Sequence, residues 1–295
     1  MEYVPRNRIL PGGRSPDGIR CNTIVKRYPD GSAVITASDR RIFRIPGFEA
    51  SGDPRTAEKA VSGPVDPEAE YATLERRAIL GDGGPTPAEA QRAEANRARA
   101  RRRAAAAVRD LAYANPFNYF VTLTFDKTKV DRWDDAEVMR VTRNWLDNMV
   151  RREGLAYVLV PERHKDGAIH FHGFFNAAVS GIDSGHKTQS GQTIFNLPRW
   201  PWGFTTAMEV YGDYSAAVGY VCKYISKGEE KVGGRWYWHG GRLLKPDVEY
   251  LDTDWEQVSQ GCDTVTIDAL GAEMVRFRAE KGGGVNNGVH CVYPL

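Results

Sequence analysis

Two histidines separated by one residue lie in a segment with the pattern of a β-strand, residues 169–175 (IHFHGFF). Successive side chains of a strand point to opposite faces, so His170 and His172 share one face while Ile169 and Phe171 share the other. The apolar face can pack beneath a helix, and the other face then presents two imidazoles side by side. Such a pair suits one divalent metal ion, although histidines in strands also occur as structural residues.

A third ligand for such an ion is predicted at the end of the strand that precedes the pair. Glu162 is the first candidate, and His164, which has the same parity, is the alternative. A three-residue loop, Lys165-Asp166-Gly167, would place Glu162 opposite His170 on the same face, whereas a two-residue loop would turn it to the other face. Gly167 favours the longer loop because one of its positions requires a left-handed backbone.

The segment from Gly219 to Lys227 (GYVCKYISK) has the spacing of an amphipathic helix. At about 100° per residue, two phenols and two ammonium groups fall in one arc, Tyr220, Lys223, Tyr224 and Lys227. A second arc should form the buried face, with Val218, Val221, Cys222 and Ile225.

The polar face of this helix suits phosphodiester chemistry. A phenolate can attack phosphorus and form a covalent phosphotyrosine. A neighbouring lysine can favour the phenolate or neutralise charge on the phosphate. The alternative is an ordinary surface helix whose tyrosines contribute to the core.

The elements that must position these residues follow one another along residues 114–230. We predict a strand at 119–125, a helix at 134–153, strands at 157–163 and 169–175, a loop at 176–201, a strand at 205–211 and a helix that ends near Lys227. The order β-α-β-β-β-α predicts an α+β fold with a central antiparallel sheet and helices packed on its faces.

Three further regions flank this predicted domain. Residues 1–85 form an N-terminal extension with a β-hairpin and a linker, and residues 231–295 form a C-terminal extension in which 236–239 is an edge strand or an aromatic surface. Residues 86–113 are rich in alanine and arginine and should be helical. The most basic part of this helix is either a solvated face or a nucleic-acid contact, and includes Arg99, Arg101, Arg102 and Arg103.

The composition argues against several classes of protein. Forty Lys and Arg residues against 38 Asp and Glu give a net charge of only +2, so no strong overall field indicates a nucleic-acid partner. The four cysteines form no CxxC pair, which disfavours a zinc-thiolate site. The start lacks a signal-peptide pattern, and no apolar run approaches the roughly 20 residues that span a bilayer. We therefore expect a cytoplasmic protein with reduced thiols and no membrane partner.

Three segments, YFVTLTF, PERHKDGAIHFHGFF and YVCKYISK, resemble in order and spacing the motifs of the HUH (His-hydrophobic-His) rolling-circle replication initiators. The resemblance covers about residues 114–230. It is strongest to the two-tyrosine type of small single-stranded DNA phages and related prophages or plasmids. It also implies the HUH core, an RRM-like sheet.

What the resemblance implies is a metal-dependent DNA endonuclease and strand transferase. Such enzymes nick single-stranded origin DNA, stay joined to the 5′ end through tyrosine, leave a 3′-hydroxyl that primes replication and later religate the strand. Carried over, the nucleophiles are Tyr220 and Tyr224, assisted by Lys223 and Lys227. The expected Mg or Mn ion would be held by His170, His172 and Glu162.

The resemblance also bears on the partners. Conjugative relaxases are disfavoured because here the histidine pair precedes the tyrosines. No GxxxxGK[ST] phosphate loop occurs in the sequence, so no fused helicase is indicated. The expected partners are single-stranded origin DNA and a helicase and polymerase of the bacterial host.

Three alternatives stay open at this point. A non-catalytic single-strand-binding module could use the same fold, with aromatic side chains on the sheet for base stacking. A transposase-type strand transferase would use the same chemistry. A plain metalloprotein would use His170 and His172 to activate a hydrolytic water, leaving both tyrosines structural. The first and last predict no role for a tyrosine face beside the histidine pair.

Overall fold

The computed structural model describes residues 12–13, 20–46, 86–210, 214–228, 230–267, 270–279 and 290–291. The chain divides into a central unit, residues 63–244, and a terminal unit, residues 1–62 together with 245–295. Each unit contains a large antiparallel sheet, and the described residues include four helices, which confirms the predicted α+β class.

The described helices are α1 (Pro87–Ala114), α2 (Asp135–Glu153), α3 (Tyr214–Lys227) and α4 (Trp255–Ser259). The strands are β1 (Gly12–Gly13), β2 (Arg20–Cys21), β3 (Thr23–Arg27), β4 (Ala33–Ser38), β5 (Phe43–Arg44), β6 (Tyr119–Phe125), β7 (Tyr157–Arg163), β8 (Ile169–Phe175), β9 (Ile182–Lys187), β10 (Thr193–Asn196), β11 (Gly203–Glu209), β12 (Trp238–Gly240), β13 (Asp247–Thr253), β14 (Val265–Ile267), β15 (Ala272–Ala279) and β16 (His290–Cys291).

The sheet of the central unit has the order β12-β7-β8-β6-β11-β10-β9, with every pair antiparallel. One face packs against α2, which Asp134 caps and whose apolar residues Val138, Trp145 and Leu146 are buried. Ile169 belongs to the same core, as does Phe171, so the apolar face of β8 lies beneath a helix as predicted.

The predicted loop at 176–201 is wrong, because it contains the hairpin β9–β10 at the edge of the sheet. Most side chains of β9 are exposed, so β9 lacks the alternation of apolar residues that reveals a half-buried strand. The edge-strand alternative for residues 236–239 is confirmed only for 238–239, since β12 begins at Trp238 and pairs with β7. Trp236 and Trp238 are both buried.

The other face of the central sheet carries α3, and α1 packs against α3. Thr86 and Glu89 form a capping box that starts α1. The Tyr214 hydroxyl donates to the carbonyl of Ala112 at 2.9 Å, close to the end of α1. The helix predicted at 86–113 is therefore confirmed, and it supports the helix that carries the two tyrosines.

The terminal unit is built from both ends of the described chain. Its sheet has the order β1-β13-β3-β4-β15-β14, and β16 pairs with β15. The predicted hairpin is confirmed as β3–β4, with Gly31 at φ 84° in its turn. A small core forms around Ile35 and Phe277. The linker predicted within residues 1–85 lies outside the described residues.

Candidate active site

The loop between β7 and β8 determines which face Glu162 occupies. The backbone N–H of His164 donates to the carbonyl of Ala168 at 2.9 Å, which encloses three loop residues, and Gly167 has φ 85°. The register places Glu162 directly opposite His170. The predicted three-residue loop is thus confirmed, and Glu162 lies on the histidine face.

Threonine hydroxyls on β6 orient both histidines of β8. The Nδ1 atom of His170 lies 3.1 Å from the hydroxyl of Thr124, and that of His172 lies 3.1 Å from the hydroxyl of Thr122. Both imidazoles are buried. When Nδ1 of His170 donates its proton to the hydroxyl of Thr124, the lone pair of its Nε2 is free to bind a cation. Nε2 of His172 instead faces a carboxylate oxygen of Glu162, so in this arrangement the neutral ring carries its proton on Nε2, and its Nδ1 accepts from the hydroxyl of Thr122.

The carboxylate of Glu162 and a third imidazole, that of His164, lie beside this pair. The Oε2 atom of Glu162 is 2.8 Å from Nε2 of His172 and 3.9 Å from Nε2 of His164. The ring of His164 stacks on that of His170, with centroids 3.7 Å apart and planes 10° from parallel. Both predicted candidates for the third ligand therefore lie next to the histidine pair.

Burial keeps the two histidines of β8 in the neutral form. Desolvation, together with smaller effects of the neighbouring imidazoles of His164 and His172, lowers the pKa of His170 to about 4. Burial also lowers the pKa of His172, although the carboxylate of Glu162 opposes this shift. Near neutral pH both side chains are uncharged, which is the form that coordinates a metal ion.

One tyrosine of α3 lies directly against the histidine pair, and the other bonds to the first. The ring of Tyr224 stacks on His172, with centroids 4.1 Å apart and planes 3° from parallel. Its hydroxyl donates to the hydroxyl of Tyr220 at 2.6 Å. Tyr220 packs edge-on against Phe120 and is 50% exposed, so its hydroxyl is accessible from solvent.

The two phenols differ in their surroundings. Burial raises the pKa of Tyr224 well above its usual range, and the hydrogen bond to Tyr220 and the charge of Glu162 add to this shift. Tyr224 is therefore a phenol, not a phenolate, in this arrangement. Its O–H group serves as a hydrogen-bond donor to the more exposed Tyr220.

A cleft of about 420 Å³ opens beside Tyr224, between the β7–β8 loop and the end of α3. Its lining includes the carboxylates of Glu162 and Glu230, the exposed imidazole of His164, and the ammonium groups of Lys165 and Lys227. Lys227 thus faces this space, and Lys223 is exposed on the same helix. A phosphate in the cleft would meet positive charge close to a phenol.

The arginines predicted as nucleic-acid contacts lie on α1 and have different surroundings. Arg99, Arg102 and Arg103 are exposed. Arg101 forms an ion pair with Glu94 at 2.9 Å and donates to the carbonyl of Gly228 at 3.2 Å. Arg101 therefore holds the chain that follows α3, and a nucleic-acid contact by these four arginines stays a prediction.

Two threonines that bond to the histidines were missed in the sequence, although their spacing could have indicated them. Thr122 and Thr124 alternate within YFVTLTF with the same period of two as the histidines. That alternation would have placed them beside the pair had the adjacency of β6 and β8 been known. Phe120 lies on the same face two residues earlier, and its ring supports Tyr220.

The side chains of the site do not converge on one point. Within the described ranges, no group of three or more His, Cys, Asp or Glu side chains is arranged as a metal-binding cluster. Glu162 instead contacts His172 directly. The metal-ligand roles of His170, His172 and Glu162 therefore stay predictions.

Comparison with known proteins gives one match at the level of families. Residues 118–229 match the family model of the replication-associated protein ORF2. This segment, less than half of the chain, contains the histidine pair, Glu162 and both tyrosines, and the match supports a replication initiator and a role in DNA replication. No curated protein and no solved structure matches. None of the described helices is long and apolar enough to cross a membrane.

Proposed function

We propose that this protein initiates replication by nicking single-stranded origin DNA through tyrosine attack. The observation that carries the proposal is the contact between the two motifs. Tyr224 stacks on His172 and its hydroxyl bonds to Tyr220, so both phenols lie beside the imidazoles and the carboxylate of Glu162. A binding module or a plain hydrolytic metalloprotein has no need of this arrangement.

The proposed reaction is a transesterification. The phenol oxygen bonds to the scissile phosphorus as the bond from phosphorus to the 3′-oxygen breaks, which gives a 5′-phosphotyrosine and a free 3′-hydroxyl. The proton that the phenol loses balances the one that the 3′-oxygen gains, and no water or nucleotide is consumed. The second tyrosine, or the 3′-hydroxyl itself, can repeat the exchange and religate the strand.

We propose that a Mg or Mn ion binds at the histidine pair, because two imidazoles and a carboxylate are donor types found in divalent-ion sites. His170 and His172 each have Nδ1 bonded to a threonine hydroxyl, which can act as an outer-shell partner, and Glu162 adds a hard oxygen. These three residues would hold the ion, with His164 beside them as the alternative ligand. When bound, the ion supplies polarisation of the scissile phosphate.

The lysines of α3 complete the proposed chemistry. Lys227 lines the cleft, where its ammonium group can neutralise charge that develops on the phosphate. Lys223, one turn earlier, is exposed and can hold a neighbouring phosphate. A helicase and a polymerase of the bacterial host would then extend the 3′-hydroxyl that the nick leaves.

A strand labelled at one end tests the proposal directly. The full chain is incubated with Mn or Mg and overlapping single-stranded oligonucleotides drawn from the DNA that encodes it. A 3′ label should move with the protein on a denaturing gel, because tyrosine retains the 5′-phosphate side. A 5′ label should appear on a shorter strand that ends in a 3′-hydroxyl and can be extended by a polymerase.

Phenylalanine variants identify the nucleophiles. Tyr220→Phe combined with Tyr224→Phe should abolish the labelled protein while DNA binding remains. Tyr237→Phe, whose ring stacks on His239 in the same unit, is the matched control and should form the adduct normally. A double variant that still forms the adduct would refute the proposal, and binding of DNA by the parent without any adduct would favour the non-catalytic alternative.

A further inference from the structure

Phe204 is the most exposed large hydrophobic side chain among the described residues. It lies on β11 in the central sheet and is 71% exposed. Exposed aromatic residues on a sheet face are common contacts for unpaired bases. A single exposed side chain needs no functional explanation, so its position relative to the site decides whether it has one.

The sheet register places Phe204 in one row with the candidate active site. Phe204 pairs with Thr124, Thr124 pairs with His170, and His170 pairs with Glu162. Residues paired directly across adjacent strands project from the same face. Because neighbouring strands are about 4.8 Å apart, Phe204 lies roughly 10 Å from His170.

This end of the sheet face is open on the side of β11. Helix α3 covers the other end, where Tyr220 packs against Phe120. Thr206, next to Phe204 on its face, is exposed, and β10 ends at Asn196, before it could pair opposite Phe204. The described part of the chain therefore leaves a strip beside the histidine pair that solvent reaches.

The surroundings of this strip suit a nucleic acid better than an apolar protein surface. Its neighbours on the sheet face are the hydroxyl residues Thr124 and Thr206. Lys127 and Lys129 follow β6 and are exposed, and the ammonium group of Lys129 donates to the carbonyl of Pro201 at 3.1 Å, close to the start of β11. One aromatic ring among hydroxyls, with lysines nearby, offers stacking for a base and positive charge for a phosphate.

We propose that Phe204 is the stacking platform for the base of a nucleotide that neighbours the scissile phosphate. The inference rests on the proposed function, because it assumes a phosphate beside His170. A DNA strand with its scissile phosphate beside His170 crosses β6 and β11, and the base of a neighbouring nucleotide then lies over Phe204. Phe204 is then a positioning residue, since it holds the strand and does not touch the reacting atoms.

Binding without chemistry tests this role. The Tyr220→Phe, Tyr224→Phe double variant is titrated in EDTA with a fluorescent short oligothymidylate. Adding Phe204→Ala should weaken binding by about 5- to 150-fold, the range expected for loss of one base–aromatic stack. Phe204→Trp should bind at least as tightly as Phe204, and Phe204→Leu should bind as weakly as alanine, because leucine keeps apolar contact but has no aromatic face.

The control is Ile182→Ala, which removes another exposed apolar side chain from β9 of the same sheet. It should leave affinity unchanged. Thermal unfolding of each variant should be close to that of the parent, because the substituted side chains are exposed. Photo-crosslinking with 5-iodouracil in the oligonucleotide should place the modified residue at Phe204, and Phe204→Ala should lose that crosslink.

Three results would overturn the inference. These are binding of Phe204→Ala within about twofold of its parent, equal binding by the leucine variant, or crosslinks that map only to other residues. The adduct assay separates this inference from the proposed function. A parent chain that forms no adduct but loses binding with Phe204→Ala refutes the nicking reaction alone, whereas normal adduct formation and binding by Phe204→Ala refutes the stacking role alone.

Discussion

The threonine hydroxyls of β6 should control how well the histidine pair binds a metal ion. Thr124→Val and Thr122→Val replace each hydroxyl by a methyl group of similar size. Each leaves the Nδ1 atom of one buried histidine without its partner at 3.1 Å. The imidazole then loses the bond that fixes its tautomer and orientation, while valine is well suited to a strand.

The two substitutions should differ in magnitude. Loss of an outer-shell partner typically weakens metal binding by about 10- to 100-fold, or roughly 1.4 to 2.7 kcal/mol. His172 is also held by the stacked ring of Tyr224 and by Glu162, whereas the ring stacked on His170 is that of the half-exposed His164. We therefore expect the upper part of this range for Thr124→Val and the lower part for Thr122→Val.

Calorimetric titration with MnCl₂ in the absence of DNA measures these affinities. Thr206→Val is the matched control, because Thr206 pairs with Thr122 on the same face of the sheet and is exposed. Circular dichroism should show an intact fold in every variant. The reasoning fails if Thr124→Val binds Mn within about twofold of the parent, or if the Thr206 control loses as much affinity as the other two.

Two further predictions concern stability and are measured by tryptophan fluorescence. This signal reports mainly on the central unit, because six of the seven tryptophans lie there. In metal-free buffer the free energy of unfolding should fall by up to about 3 kcal/mol between pH 6.5 and 4, because unfolded His170 takes up a proton that the folded, buried imidazole does not. His170→Gln should flatten the plot of unfolding free energy against pH in that window. A plot that His170→Gln leaves unchanged would contradict the buried neutral state of His170. Tyr214→Phe should lower the free energy of unfolding in urea by about 0.5–1.5 kcal/mol, because it removes a hydrogen bond to the carbonyl of Ala112 at 2.9 Å. The control is Tyr119→Phe, at a residue whose ring packs against Phe195. An equal loss of stability in the two variants would argue against a contribution from the Tyr214 hydrogen bond.

The parts of the site that the sequence predicted are those that depend on local periodicity. The period of two placed His170 and His172 on one face, and the same parity with the left-handed Gly167 placed Glu162 beside them. The helical period placed Tyr220 and Tyr224 together. Each of these inferences needs only the geometry of one strand, one loop or one helix.

The parts that the sequence did not reveal depend on which elements are neighbours. The histidine partners Thr122 and Thr124 follow from the pairing of β8 with β6 across about fifty residues. The role of Arg101 at the end of α3 spans 127 residues. The row that joins Phe204 to His170 also passes through β6, so no local pattern indicates it.

The terminal sheet places the hairpin β3–β4 between strands that are synthesised much later. Thr23 pairs with Leu251 of β13, and Ile35 pairs with Phe277 of β15, so both sides of the hairpin depend on residues more than 200 positions downstream. At about 5–20 residues per second, a ribosome needs roughly 10–40 s to reach β13 after completing β4. An isolated hairpin is marginally stable, and its open edges can pair with other chains. The whole central unit is synthesised before the strands that pair with this hairpin, β13 and β15. During that interval the unpaired hairpin is a site at which nascent copies of the chain can associate wrongly.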